Sequence, residues 1–203
     1  MTSANLTARG AATRSRIVEA AADLLLAHGV GGTSLDDIRE RTGTSKSQLF
    51  HYFPGGKSEL VGAIAGFQSG RFVDAQRPWL DRLDTWADWD GWRDAVLAHY
   101  AEQPHFGCPI GAVAAEVAGN DEKLAAELHG HMERWRGYLL AGLVRMRDNG
   151  LLRPEADPET LSLVLLAALQ GGKLLSQSMR SHAPLAAALD GALAALRSWS
   201  VVA

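Results

Sequence analysis

Three observations predict an all-α fold of about nine helices. Apolar residues recur at three- and four-residue spacing, as in Ile17, Ala21, Leu24 and Leu25. No stretch shows the strict apolar–polar alternation of a half-buried strand. Ser, Thr and Asp stand where helices would begin, and Gly or Pro where they would end. The chain has 203 residues, 47% of them apolar, which is enough for a globular molecule with a sizeable core.

Residues 1–11 are small and polar around Arg9 and read as a flexible arm. A first helix is expected over 13–28, closed by His28-Gly29. Ser34-Leu35-Asp36-Asp37 is a capping box with Asp in place of Glu, and it opens a short helix over 35–41. Thr42-Gly43-Thr44 is a turn. Ser45 caps a second short helix over 46–52, which Pro54-Gly55-Gly56 stops. Two short helices around a Gly-containing turn form the helix-turn-helix pattern.

From Lys57 a longer helix with Leu60, Ile64 and Phe67 on one stripe is expected to reach the low 80s. Asp88 is read as the cap of a helix ending near Gln103, and another short helix is expected over 110–118. A long helix from Asp121 carries Leu124, Leu128, Met132, Trp135, Leu139, Leu143 and Met146 on one face and ends at Asn149-Gly150. Asp157-Pro158 opens the next, reaching Met179, and Pro184 opens the last, reaching about Ser200. The predicted division is an arm over 1–11, a helix-turn-helix domain over 12–56 and a larger helical domain over 57–203, for which the resemblance given below implies ligand binding and dimerisation.

Charge supports that division. Net charge is −3, but residues 1–57 hold seven Lys/Arg against five Asp/Glu, and the remainder is acidic. A basic front on an acidic body suits a small nucleic-acid-binding module on a body of other purpose. The single cysteine, Cys108, allows no internal disulfide, and a reducing cytoplasm is the expected compartment. No signal peptide and no membrane span are expected, since the longest apolar run is Leu163 to Leu169.

The run Thr44-Ser45-Lys46-Ser47-Gln48 is polar, cationic and free of carboxylates. At the start of the second short helix it has the chemistry to read duplex DNA. Lys46 suits guanine O6/N7, Gln48 suits adenine N6/N7, and Ser47 lies between them. Thr33 or Ser34, Thr44, Ser45, His51, Tyr52 and Lys57 are candidate phosphate contacts, with the helix N-terminus at Lys57 adding a partial positive charge. Arg9, Arg14 and Arg16 could reach backbone or minor groove, or be solvated charges.

These segments resemble the TetR/AcrR family of transcriptional regulators. The matching residues are Thr33-Ser34-Leu35-Asp36-Asp37-Ile38, Thr42-Gly43-Thr44, Phe50-His51-Tyr52-Phe53 and Lys57. Phe53-Pro54-Gly55-Gly56-Lys57-Ser58-Glu59-Leu60 and Gly107-Cys108-Pro109-Ile110-Gly111 are similar to its LmrA/YxaF-like branch. The family often has a phosphate-binding Tyr where Phe50 stands, so Phe50 is expected to pack in the core and His51 and Tyr52 to hold the backbone.

The resemblance implies a regulator, by default a repressor, that binds a palindromic operator as a homodimer and is released by a small-molecule effector. The last two helices, rich in Leu and Ala with Gly171-Gly172, are expected to pair across a two-fold axis. Candidate lining for a bulky apolar effector comes from Phe67, Trp86, Trp89, Trp92, Tyr100, Phe106, Cys108, Trp135, Tyr138, Gln170 and Met179, all of which could equally be core. No cofactor and no metal is expected. His129 and His131 face apart on a helix, and His99 with Glu102 is a partial site only. Redox sensing through Cys108, or less readily a helical enzyme using Cys108 and His105, remains as an alternative.

Overall fold

In the computed structural model, which describes residues 6–103, 106, 111, 113 and 121–201, the helices begin at capping side chains. Eight α-helices are present among these residues: α1 Ala8–His28, α2 Leu35–Thr42, α3 Lys46–Tyr52, α4 Gly56–Ala75, α5 Trp86–Ala101, α6 Glu122–Asp148, α7 Pro158–Met179 and α8 Ala183–Arg197. A short 3-10 turn spans Trp79–Asp81. Among the described residues there is no strand, only an isolated antiparallel bridge between Leu152 and Ser200. The expected helix over 110–118 and Cys108 lie outside the described residues, apart from Gly111 and Val113, which are helical.

Four expected boundaries move. The first helix starts at Ala8 rather than Thr13, because the Thr7 hydroxyl accepts from the Gly10 amide and caps it there. Part of the expected arm is therefore helical. α4 ends at Ala75, ahead of the Arg77–Pro78 peptide bond, which is cis. Asp88 is not the cap of α5. Thr85 is, and Asp88 sits three residues in, where its carboxylate accepts from the Thr85 amide at 3.0 Å. α8 stops at Arg197, short of Ser200.

The chain divides into two compact units, residues 1–69 with 109–128 and residues 70–108 with 129–203. In the first, α1 turns Ile17, Val18, Ala21, Ala22 and Leu25 inward, where they share burial with Ile38, Leu49, Phe53, Leu60, Val61 and Ile64. Asp121 and the first turns of α6 join this unit through the Ser58–Asp121 hydrogen bond. Gly62 permits that approach: a Cβ there would lie 2.4 Å from Glu127 Oε2 and 3.4 Å from Leu124 Cδ1.

In the second unit the core is aromatic and aliphatic. Trp89, Trp92, Tyr100 and Trp135 are buried with Leu139, Leu143, Leu165, Leu169, Leu185 and Leu189. The buried Gln76 amide joins two of its indoles. The buried Gln76 amide donates to the Phe72 carbonyl at 2.7 Å, and its oxygen accepts from both Trp92 Nε1 (2.7 Å) and Trp135 Nε1 (3.1 Å). Trp89 Nε1 lies 2.7 Å from Met146 Sδ. α7 and α8 pack closely because Gly172 has no side chain: a Cβ there would sit 2.9 Å from the Leu185 Cα. Two ion pairs tie α5 to α8, Arg93 of α5 with Asp190 of α8 and Arg197 of α8 with Asp90 of α5.

Candidate nucleic-acid interface

Two capping boxes and one left-handed glycine build the helix-turn-helix. Ser34 Oγ accepts from the Asp37 amide at 3.1 Å, and the Asp37 carboxylate accepts from the Ser34 amide at 2.7 Å and from its hydroxyl at 2.7 Å. Those hydrogen bonds from Ser34 hold the Asp37 carboxyl below the usual range. Gly43 ends α2 at φ 62°, ψ 29°, a conformation that favours glycine. Ser45 then caps α3, its Oγ accepting from the Gln48 amide at 3.2 Å while Gln48 Oε1 accepts from the Ser45 amide at 3.1 Å.

The result is a short helix with two faces. Leu49 and Phe53 are buried beneath it. Ser45, Lys46, Ser47, Gln48 and His51 are exposed, and Tyr52 is half-buried against His51, with ring centroids 5.0 Å apart. The exposed face carries one ammonium, three hydroxyl or amide groups and an imidazole, and no carboxylate. That is the donor-rich composition which duplex DNA, a polyanion with acceptor-bearing groove edges, requires.

Four expectations on this face are corrected. Thr33 is buried, and its hydroxyl donates to the Gly29 carbonyl at 2.8 Å, so it braces the end of α1 instead of facing phosphate. Thr44 is also buried, hydrogen-bonded to the Thr42 hydroxyl at 2.8 Å, and it shapes the turn from inside. Lys57 donates to the Val30 carbonyl at 2.5 Å, which makes it a tie between α4 and the segment after α1. Phe50 is not a core packer: it is 41% exposed. Positions 49 and 53 are four apart and take the inward direction, which turns position 50 outward. The arginines missed as structural parts are Arg14, whose guanidinium stacks 4.9 Å above the Phe53 ring, and Arg16, whose Nη1 reaches the Thr42 carbonyl at 3.5 Å. The three-residue spacing of Arg14 to Ile17 places Arg14 beside the buried stripe, and that signal could have found it.

Residues 17–64 match the model of the bacterial regulatory proteins of the tetR family, and residues 90–192 match that of the tetracyclin repressor-like C-terminal domain. The chain belongs to the TetR family of transcriptional regulators. It is 28% identical to the HTH-type transcriptional regulator LmrA of Bacillus subtilis over 180 residues, covering 85% of this chain and 90% of that protein. It is 25% identical to the HTH-type transcriptional regulator YxaF of the same organism, covering 89% and 92%. In fold it superposes on a TetR-family regulator from Cytophaga hutchinsonii with a TM-score of 0.83 at 18% identity, over 98% of this chain and all of that one. A TetR regulator from Chloroflexus aurantiacus gives 0.79 at 26% identity, over 92% and 94%. The helix-turn-helix of this TetR-family regulator is thus a DNA-binding module, and the enzyme reading of Cys108 falls away.

The second unit sorts the remaining expected site residues. Trp89, Trp92 and Trp135 are buried with their indole N–H groups bound to Met146 or Gln76, so they are core. Tyr100 is buried as well, but one face of its ring lies under the Lys173 ammonium at 3.5 Å. Trp86 and Tyr138 are half-buried against the same core, and Gln170 is half-buried with Nε2 3.4 Å from Met132 Sδ. Phe67 is half-buried on the part of α4 that belongs to the first unit. Phe106 is half-buried with its ring 4.8 Å from that of His182. Met179 is corrected outright: at 64% exposed it faces away from the core. Sequence reasoning passed over Lys173, although a Lys eight residues after Leu165 on one helical stripe is a visible signal. Among the described residues no group of three His, Cys, Asp or Glu is placed to hold a metal ion, and no helix is long and apolar enough to cross a membrane.

Proposed function

We propose that this TetR-family regulator is a cytoplasmic, effector-responsive repressor that binds a palindromic operator as a homodimer. The observation that supports it most is the exposed face Ser45, Lys46, Ser47, Gln48 and His51 on a helix anchored from below by Leu49 and Phe53. Lys46, Ser47 and Gln48 read base edges, Lys46 taking guanine and Gln48 adenine. Ser34, Ser45, His51 and Tyr52 hold the phosphates.

The dimer reading draws on α7. Leu163, Val164, Leu174, Leu175 and Met179 are exposed along one side of it, with exposed Gly171 among them. Contiguous exposed apolar surface of this kind marks an interface. A second copy of α7 and α8 across a two-fold axis would cover it and set two recognition helices roughly 34 Å apart, or a multiple of that.

Effector control would run through helices that belong to both units. α4 is unbroken across residues 69 and 70, where the units divide, and α6 across residues 128 and 129. An effector that binds more tightly to one setting of these helices lowers operator affinity by that differential and no more.

Selecting bound sites from a random duplex pool tests the reading. A palindrome with half-sites one helical turn or a multiple apart supports both the dimer and the motif. Recovery of sites without two-fold symmetry refutes the dimeric reading.

A further inference from the structure

Leu49 and Phe53 take the inward direction on α3, and Phe50 is left 41% exposed on its outer side. The other large apolar side chains exposed among the described residues lie on α7 or at Val201. In the first unit Phe50 stands alone in this respect. Lys46 and Ser47 precede it by four and three positions, about one helical turn, so all three share one side of α3. His51, the next residue, is exposed as well.

A single exposed apolar side chain is ordinary on a protein surface. Its setting gives this one a meaning. The groups around it form the donor-rich, carboxylate-free face that suits a polyanion. Gly56, the first residue of α4, offers the ring only backbone: a Cβ there would lie 3.8 Å from Phe50 Cε1. The ring therefore rests beside the turn between α3 and α4, and with two side-chain torsions it loses little freedom when a surface closes over it. A phenyl ring has no donor for a phosphate or for a base-edge acceptor. The apolar group that base edges present in the major groove is the C5-methyl of thymine.

We propose that Phe50 reads the C5-methyl of a thymine in each half-site, as a specificity-determining residue beside those that read hydrogen-bonding edges. Four positions from Lys46 correspond to about 6 Å along α3, and successive base pairs are about 3.4 Å apart. The thymine thus lies within about two base pairs of the guanine taken by Lys46. The assignment rests on the reading that the exposed face of α3 enters the major groove.

The test uses the full chain and a duplex recovered by site selection, with each thymine replaced in turn by deoxyuridine. The replacement removes the methyl and keeps the hydrogen-bonding edge. At one position per half-site it should lower affinity about three- to tenfold. Phe50→Ala should bind the thymine duplex more weakly by a similar factor and should bind thymine and uracil duplexes equally. Its melting temperature should match the parent, because the ring lies outside the core, and its salt dependence should be unchanged, because no phosphate contact is lost. Phe50→Tyr keeps the ring and should keep the discrimination. Half-sites without thymine, uracil duplexes bound as tightly as thymine duplexes, or discrimination that survives Phe50→Ala would overturn the proposal. Weaker binding by Phe50→Ala with no methyl effect in the parent makes the ring a backbone contact and overturns it too. Gln48→Glu separates this assignment from the reading beneath it. Lost affinity in Gln48→Glu without a methyl effect refutes the role of Phe50 alone. Unchanged affinity in Gln48→Glu, again without a methyl effect, refutes groove reading by α3.

Discussion

Gln48 shows how much one side chain on this interface has to do. Its carbonyl oxygen accepts from the Ser45 amide and closes the capping box, while its place on the exposed face of α3 leaves it open for the base contact proposed above. The two tasks separate in Gln48→Glu. A carboxylate at this position caps as well or better and suits the positive end of the helix. It also places a negative charge against DNA. Thermal stability should hold to within about 0.5 kcal/mol, while operator affinity drops at least about tenfold. Retained affinity in a gel-shift titration would exclude Gln48 from the interface. Thr33 gives the opposite pattern. Thr33→Val removes the donor to the Gly29 carbonyl in a buried setting and should cost about 1–2 kcal/mol in urea unfolding. The salt dependence of DNA binding should not change, because no phosphate contact is lost.

α7 presents three surfaces at once: aliphatic core, enclosed polar cluster and exposed apolar side. Its two adjacent glycines divide between them. Gly172 faces α8, where a Cβ would meet the Leu185 Cα at 2.9 Å, and Gly171 faces open space. Gly172→Ala therefore gains about 1 kcal/mol of helix propensity but overpacks a backbone contact costing about 1–3 kcal/mol. The net expectation is a lower melting temperature. Gly70→Ala is the control: an exposed helical glycine with open space around it, where only the propensity gain applies. If both variants stabilise, the close α7–α8 packing is not as described. The exposed side is tested by Leu174→Glu at a residue 69% exposed. Fold and far-ultraviolet spectrum should be unchanged, while sedimentation shifts from dimer to monomer. A dimer that persists in this variant places the interface elsewhere.

For the molecule as a whole, pH reports on the second unit before the first. His99 is held below its ordinary value of 6.5 by burial first. The unfolded chain therefore binds the proton more readily than the folded one. The stability contribution is complete above about pH 6.5, declines as pH falls below it, and levels off once the depressed folded value is passed. His182 acts in the same direction. The carboxylates act in the same direction at lower pH. Asp37, Asp121 and Asp157 are held below 3.8 by hydrogen bonds from Ser34, Ser58 and Thr160, so their contributions persist above 3.8 and are lost only as pH falls through the lower folded values. Urea midpoints should thus fall between about pH 7 and 5, with a smaller slope in His99→Gln, and fall again only in strong acid. An unchanged slope in that variant would remove His99 as the cause.

Local chemistry was enough to read much of this protein from its residues alone. Ser34 with Asp37, Gly43, Ser45 and Asp157-Pro158 each act on backbone within four residues, so the helix-turn-helix and the start of α7 were legible in order and register. The stripe from Leu124 to Met146 was legible because helical periodicity is local as well. Tertiary structure decided which side of an element faces what. It buried Thr33 and Thr44, exposed Phe50 and Met179, tied Lys57 to Val30, and turned three tryptophans from expected lining into core. It also enclosed Lys173, which a linear reading treats as one more surface charge. Capping depends on neighbours along the chain, whereas burial depends on partners brought from far along it. Gln76 reaches Trp135 across 59 residues, and no local pattern encodes such a pairing.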